Sequence, residues 1–178
     1  SFLLFFISQL FFAQELPPIV KFSSNTYGAA SQNWMISQDQ NQFVYFANNE
    51  GLLEFNGSEW KLNASPNETI MRSVKAVGDK IFTGCYMEFG FWSRLDNGRL
   101  KYTSLSKSIK NKITYDEQFW NILEFGKWVV FQSLNQIFIS EKALAQREIY
   151  SDSIPFKDRL YFGGNLGLQF GTVTMVDI

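Results

Sequence analysis

The sequence predicts an all-β fold made of consecutive four-stranded antiparallel meanders, the blade unit of a β-propeller, and three observations carry that prediction. Aromatic residues are abundant, with 19 Phe, 7 Tyr and 5 Trp in 178 residues, and flat or β-branched side chains suit a pleated, half-buried surface. Short apolar runs alternate with hairpin dipeptides, above all Asn56-Gly57 and Asn97-Gly98, which favour tight turns because both central residues tolerate a left-handed backbone. The same order of runs and turns recurs along the chain, the mark of a repeat architecture.

In the first copy, residues 34–37, opening on Trp34, are the first strand, Asp39-Gln40-Asn41 is a turn, and residues 43–47, 52–55 and 60–62 are the next three strands. The second copy opens on Arg72 with a strand over residues 72–76. It then turns at Gly78-Asp79, continues through residues 80–83 and 89–93, turns at Asn97-Gly98 and closes with residues 100–103. The third opens on Trp120 and places strands at residues 120–123, 128–131 and 136–139, with Gly126-Lys127 as its first turn. Residues 159–162 and 167–170 begin a fourth. Three copies and the start of another predict an incomplete propeller of about three and a half blades, where closure takes about four to eight. Residues 141–148 are helix formers, so about two helical turns are expected there.

Phe46, Phe82, Phe131 and Phe162 each end a second strand and serve as anchors, with Gly51, Gln136 and Gly167 five residues after three of them. After Phe82 the matching Gly90 is displaced by three residues, so the turn holding Cys85, Tyr86, Met87 and Glu88 is enlarged; residues 104–119 are a second enlargement. Successive strands of a meander alternate in direction, so both enlargements share one side of the fold, with the tight turns on the other. Loops that carry length on a rigid scaffold are where binding residues tend to sit. The face bearing Tyr86, Glu88, Tyr115 and Asp116 is therefore the expected interaction face; the alternative is that both enlargements are tolerated insertions.

Several function classes are disfavoured. With 16 basic and 17 acidic residues and no block of like charge, there is no electrostatic footprint for duplex nucleic acid, and no direct nucleic-acid contact is expected. The chain has no histidine, which removes the commonest general base and metal ligand. Cys85 is alone, too little for a disulfide or a thiolate zinc site, and is expected in the core. Asp116 and Glu117 are adjacent, so an extended backbone sends their carboxylates to opposite sides and they form no acid–base pair. Gly163-Gly164-Asn165-Leu166-Gly167 lacks the spacing of a phosphate-binding loop and is expected to be a hairpin loop. Asp39-Gln40-Asn41 lacks the glycine and distal glutamate of a calcium loop. Asn56, Asn63 and Asn67 head glycosylation sequons, which matter only in a eukaryotic secretory host. No enzyme activity, no metal and no cofactor are expected.

The first thirteen residues include the apolar runs 2–7 and 10–13. They are too short to span a bilayer of about 30 Å as a helix but have the length of a signal-peptide core. Residues 1–13 are thus expected to be an N-terminally truncated signal peptide and residues 14–178 a partial propeller domain, exported to the periplasm.

Residues 33–39 (Asn-Trp-Met-Ile-Ser-Gln-Asp), 45–60 (Tyr-Phe-Ala-Asn-Asn-Glu-Gly-Leu-Leu-Glu-Phe-Asn-Gly-Ser-Glu-Trp) and 88–91 (Glu-Phe-Gly-Phe) resemble the two-component regulator propeller repeats that open Bacteroidetes-type sensors. The resemblance spans residues 17–170. It implies a periplasmic sensor domain followed, in the whole protein, by a triple-tyrosine immunoglobulin-like domain, a membrane helix and either a hybrid histidine kinase or a LuxR-type helix-turn-helix output. The Asn33-Trp34 and Glu88-Phe89-Gly90 segments are closer to the transcription-regulator branch, and Gln136 in place of glycine is a departure. The implied partner is an extracytoplasmic ligand, such as a glycan, or a partner protein. Membrane attachment would come only through a downstream helix, and the working state would be a homodimer. Two alternatives remain at this point: a secreted structural, adhesion or glycan-binding propeller without signalling output, and an enzyme whose site lies in further blades.

Overall fold

The computed structural model of the chain describes residues 17–141. The expected signal segment, the start of a fourth copy and the Gly163–Gly167 loop lie outside them. So does the expected helix, except for Glu141, which ends a strand.

The described residues form three separate antiparallel sheets, each a meander in which every strand pairs with its sequence neighbour. The first holds β1 (Asn33–Gln38), β2 (Val44–Asn48), β3 (Gly51–Phe55) and β4 (Trp60–Ala64). The second holds β5 (Ser73–Val77), β6 (Lys80–Gly84), β7 (Phe89–Arg94) and β8 (Leu100–Ser104). The third holds β9 (Asn121–Phe125), β10 (Trp128–Gln132) and β11 (Ile137–Glu141). A one-turn helix, α1 (Ser24–Tyr27), precedes them, and a 3-10 segment (Ser106–Lys112) lies in the link from β8 to β9.

Local chemistry sets the turns. The Asp39 carboxylate accepts the amides of Asn41 and Phe43 at 2.9 and 3.0 Å, and Asn56 Oδ1 accepts those of Ser58 and Glu59 at 2.9 and 2.7 Å. Each side chain thus supplies the acceptor that bends the backbone.

Packing joins the sheets face to face. Tyr45, Ala47 and Leu52 of the first sheet meet Val74, Ile81 and Trp92 of the second, with Met71 and Cys85 between them. The opposite face of the second sheet offers Phe82, Phe89 and Phe91 to Ile122, Val129, Phe131 and Phe138 of the third. Leu105, Ile109, Ile113 and Phe119 of the β8–β9 link complete this core. Each buried Phe contributes about 1.5–3 kcal/mol. Because the second sheet is covered on both faces, every residue of β6 is buried. The first strands run alongside one another. The Ala76 amide donates to Ser37 Oγ at 2.9 Å, and Ser73 Oγ donates to the Phe119 carbonyl at 2.7 Å.

The pairings correct the expected anchor register. Gly51 pairs with Asn48, whereas Gly90 pairs with Thr83. Counting back from these pairs matches Phe46 to Ile81, which sit opposite Leu53 and Trp92, and sets Phe82 against Ala47. The β6–β7 turn is accordingly longer than expected by one more residue. Phe46 and Phe82 also face different ways. Phe82 is in the core shared with the third sheet, while Phe46 is half-buried on the outer face of the first sheet beside Trp60, at 5.6 Å between ring centroids. The two glycines do correspond: a Cβ on Gly51 would lie 2.2 Å from the Asn63 carbonyl, and one on Gly90 would lie 2.2 Å from that of Thr103.

Candidate functional site

The alternation of strand direction sends the β2–β3, β6–β7 and β10–β11 turns, and both links between sheets, to one end of the fold. There the expected enlargements knit together. Tyr86 bridges to Gln118, the Met87 amide donates to the Glu117 carbonyl at 2.8 Å, and the Phe119 amide donates to the Cys85 carbonyl at 3.1 Å. Asn67, from the β4–β5 link, donates through Nδ2 to the Tyr86 carbonyl at 2.7 Å.

Of the four residues expected on this face, three come together. Tyr115 is 86% exposed, Asp116 is exposed with φ 70°, and Tyr86 is half-buried. The Tyr86 phenol has its pKa raised by burial first, and then by the neighbouring Asp116 and Tyr115. Glu88 has a different place. It accepts the Tyr102 hydroxyl at 2.8 Å on one oxygen and the Ser106 hydroxyl at 2.7 Å on the other. Its carboxylate therefore braces β8 and the following link to the β6–β7 turn. Glu117, on the opposite side of the backbone from Asp116, is fully buried and accepts Asn135 Nδ2 at 2.9 Å through Oε1.

A second group at this end consists of Trp34, Arg72, Gln118 and Trp120. Trp34 sits on the irregularity in β1 between Asn33 and Met35, is 42% exposed, and donates its indole N–H to Asn49 Oδ1 at 2.8 Å. The Arg72 guanidinium carbon lies 4.1 Å from the centroid of the Trp34 ring and 4.7 Å from that of Trp120. The two rings meet edge to face at 5.8 Å and 80°. Arg72 Nε donates to Gln118 Oε1 at 2.7 Å. Two further donors, Arg72 Nη1 and Trp120 Nε1, are buried without a hydrogen-bond partner. Neither the Arg94–Glu54 nor the Lys127–Glu141 ion pair supplies a counter-charge to Arg72. Burial alone lowers its pKa. The sequence places Trp34, Arg72 and Trp120 at the head of the three copies. That place near the head of each copy was the available signal, although the pairings set Trp34 within β1 and Arg72 and Trp120 just before β5 and β9.

The chemistry available here is recognition by aromatic faces, a cation and donor groups. Among the described residues there is no metal-holding group of histidine, cysteine and carboxylate side chains, and no helix long and apolar enough to cross a membrane. No family model, no curated protein and no solved structure matches the chain.

Proposed function

We propose that the chain is the ligand-sensing β-propeller segment of a membrane-spanning bacterial regulator. It faces the periplasm and controls a LuxR-type helix-turn-helix or hybrid histidine kinase output elsewhere in the protein. The observation that carries this reading is the contact of Trp34 with Trp120. Sheets stacked face to face lie about 10 Å apart, so a parallel stack would leave about 20 Å between the first and third sheets; their leading indoles are 5.8 Å apart. This supports sheets that fan out from a common axis lined by the first strands, as in a propeller. The long connections and the Arg72 group then share the axial end, where propellers present a concave surface. The side chains gathered there suit binding, and binding at a rigid rim is what a sensor domain requires.

The test is made in the bacterium that carries the gene. Protease added to spheroplasts is expected to cleave the chain, and removal of residues 17–141 is expected to change transcription of a defined set of genes. Protection of the chain inside intact spheroplasts, or an unchanged transcript profile, would overturn the proposal.

A further inference from the structure

We propose that Arg72, lodged against Trp34 and Trp120, is the centre of a binding site for a carboxylated saccharide, with the guanidinium taking the carboxylate of a uronic acid unit. The inference deepens the sensor reading by naming its ligand class, and relies on that reading for its biological use.

Three observations lead to it. The Arg72 cation is held among aromatic rings with no carboxylate paired to it. Its Nε is committed to Gln118, which fixes the plane of the guanidinium and leaves the Nη edge for a ligand. Two buried donors here, Arg72 Nη1 and Trp120 Nε1, lack a partner, as does the acceptor Oε2 of Glu117, whose other oxygen accepts from Asn135 Nδ2, and a buried donor left unpaired is costly. Two unpaired donors and a positive charge without an ion pair suit an oxyanion. A planar carboxylate fits the fork of a guanidinium through two parallel hydrogen bonds.

The surroundings favour a sugar over an acidic peptide. Trp34 is 42% exposed and Tyr115 86% exposed, and both stand at the same end of the fold as Tyr86. Flat aromatic faces suit the C–H face of a pyranose ring, with polar groups at its edge setting orientation. Entry over Nη1 requires Trp34 to swing away from Asn49. The irregularity in β1 at this residue lets it do so without unpairing the strand.

The experiment titrates the purified full-length chain with digalacturonate and with the neutral galactose disaccharide, following tryptophan emission and heat. Digalacturonate is expected to saturate a single site and change the indole emission, and the neutral disaccharide to bind at least about tenfold more weakly. Arg72→Gln should weaken uronate binding about 10- to 100-fold. Added salt should weaken it in the wild type by screening. Trp120→Phe keeps an aromatic face but removes the pyrrole half of the indole together with its N–H, so it should cost about three- to tenfold; it also serves if Arg72→Gln fails to fold. Equal binding of the two sugars, no binding of either, or unchanged affinity in both variants would overturn the inference. Tighter binding of an oligoglutamate peptide than of digalacturonate would overturn the saccharide assignment. The sensor reading is judged separately. Arg72-dependent uronate binding with no transcriptional response refutes the sensor and leaves the site, while a regulated, exported chain that ignores uronates refutes the site alone.

Discussion

Replacing Gly90 by alanine tests the correspondence between the first two sheets through a single methyl group. The added Cβ would lie 2.2 Å from the Thr103 carbonyl oxygen, 2.6 Å from the Tyr102 hydroxyl and 2.8 Å from the ring carbon that carries it. Ordinary carbon–oxygen approach stops at about 3.3 Å, so β8 must recede by about 1 Å or the tyrosine must leave. Either movement strains the Gly90–Ser104 pairing and the hydrogen bond from Tyr102 to Glu88. Overpacking costs about 1–3 kcal/mol, and losing a hydrogen bond to a carboxylate adds about 1.5–3 kcal/mol. A loss of about 3–5 kcal/mol lowers Tm by roughly 6–20 °C in a chain of this size. Gly98→Ala is the control. Gly98 adopts φ 77° with open space around its Cβ position, so only the backbone cost of about 1–2 kcal/mol applies. Melting followed by far-UV circular dichroism compares the two. A Gly90→Ala protein that melts like wild type, or above Gly98→Ala, would refute the close approach of β8 and with it the matching of Gly90 to Gly51.

Phe131 is fully buried with Phe89 at 4.5 Å between centroids, so Phe131→Ala should cost about 3–5 kcal/mol by denaturant midpoint and Phe46→Ala distinctly less. The reverse order would contradict the assignment of faces. Arg94 donates to Tyr45 and to Glu54, whose side chain is 7% exposed. Arg94→Met strands a buried carboxylate and should destabilise by about 3 kcal/mol, with Arg94→Met/Glu54→Leu recovering most of the loss; additive losses in that cycle would contradict the pairing. Burial pushes the Cys85 thiol from 9.0 up to about 12. The folded chain keeps a proton that the unfolded chain releases, so this stability is present below pH 9 and is lost as pH rises toward 12. Tyr45 and Tyr102, whose phenols are also raised mainly by burial, steepen the fall. Tm against pH should decline from about pH 9, more gently at first in Cys85→Ala; a flat profile through the alkaline range would contradict the burial of these groups.

The strands and turns were readable because hairpin chemistry is local. Asn56-Gly57 and Gly126-Lys127 mark their turns without help from the rest of the fold. Register was harder. In the second sheet Ile81 and Phe82 are both buried because each face has a neighbouring sheet, so apolar alternation does not say which residue matches Phe46. The role of Glu88 depends on Tyr102 and Ser106 across the sheet and in the next link, long-range partners that no spacing rule reveals. Tyr86, Tyr115 and Asp116 were placed at one end by topology alone. Trp34, Arg72 and Trp120 stand near the head of the three copies, Trp34 inside β1 and the other two just before β5 and β9, yet their convergence follows only when the first strands are close enough for side chains to meet.

The most direct test of the central claim, that the first strands gather about one axis, is an NMR measurement of nuclear Overhauser contacts between assigned indole protons of Trp34 and Trp120. The account predicts cross-peaks between the two rings, consistent with centroids 5.8 Å apart, in a chain that also shows the β1–β2 and β9–β10 strand contacts. Intact strand contacts with no signal between the indoles would contradict it.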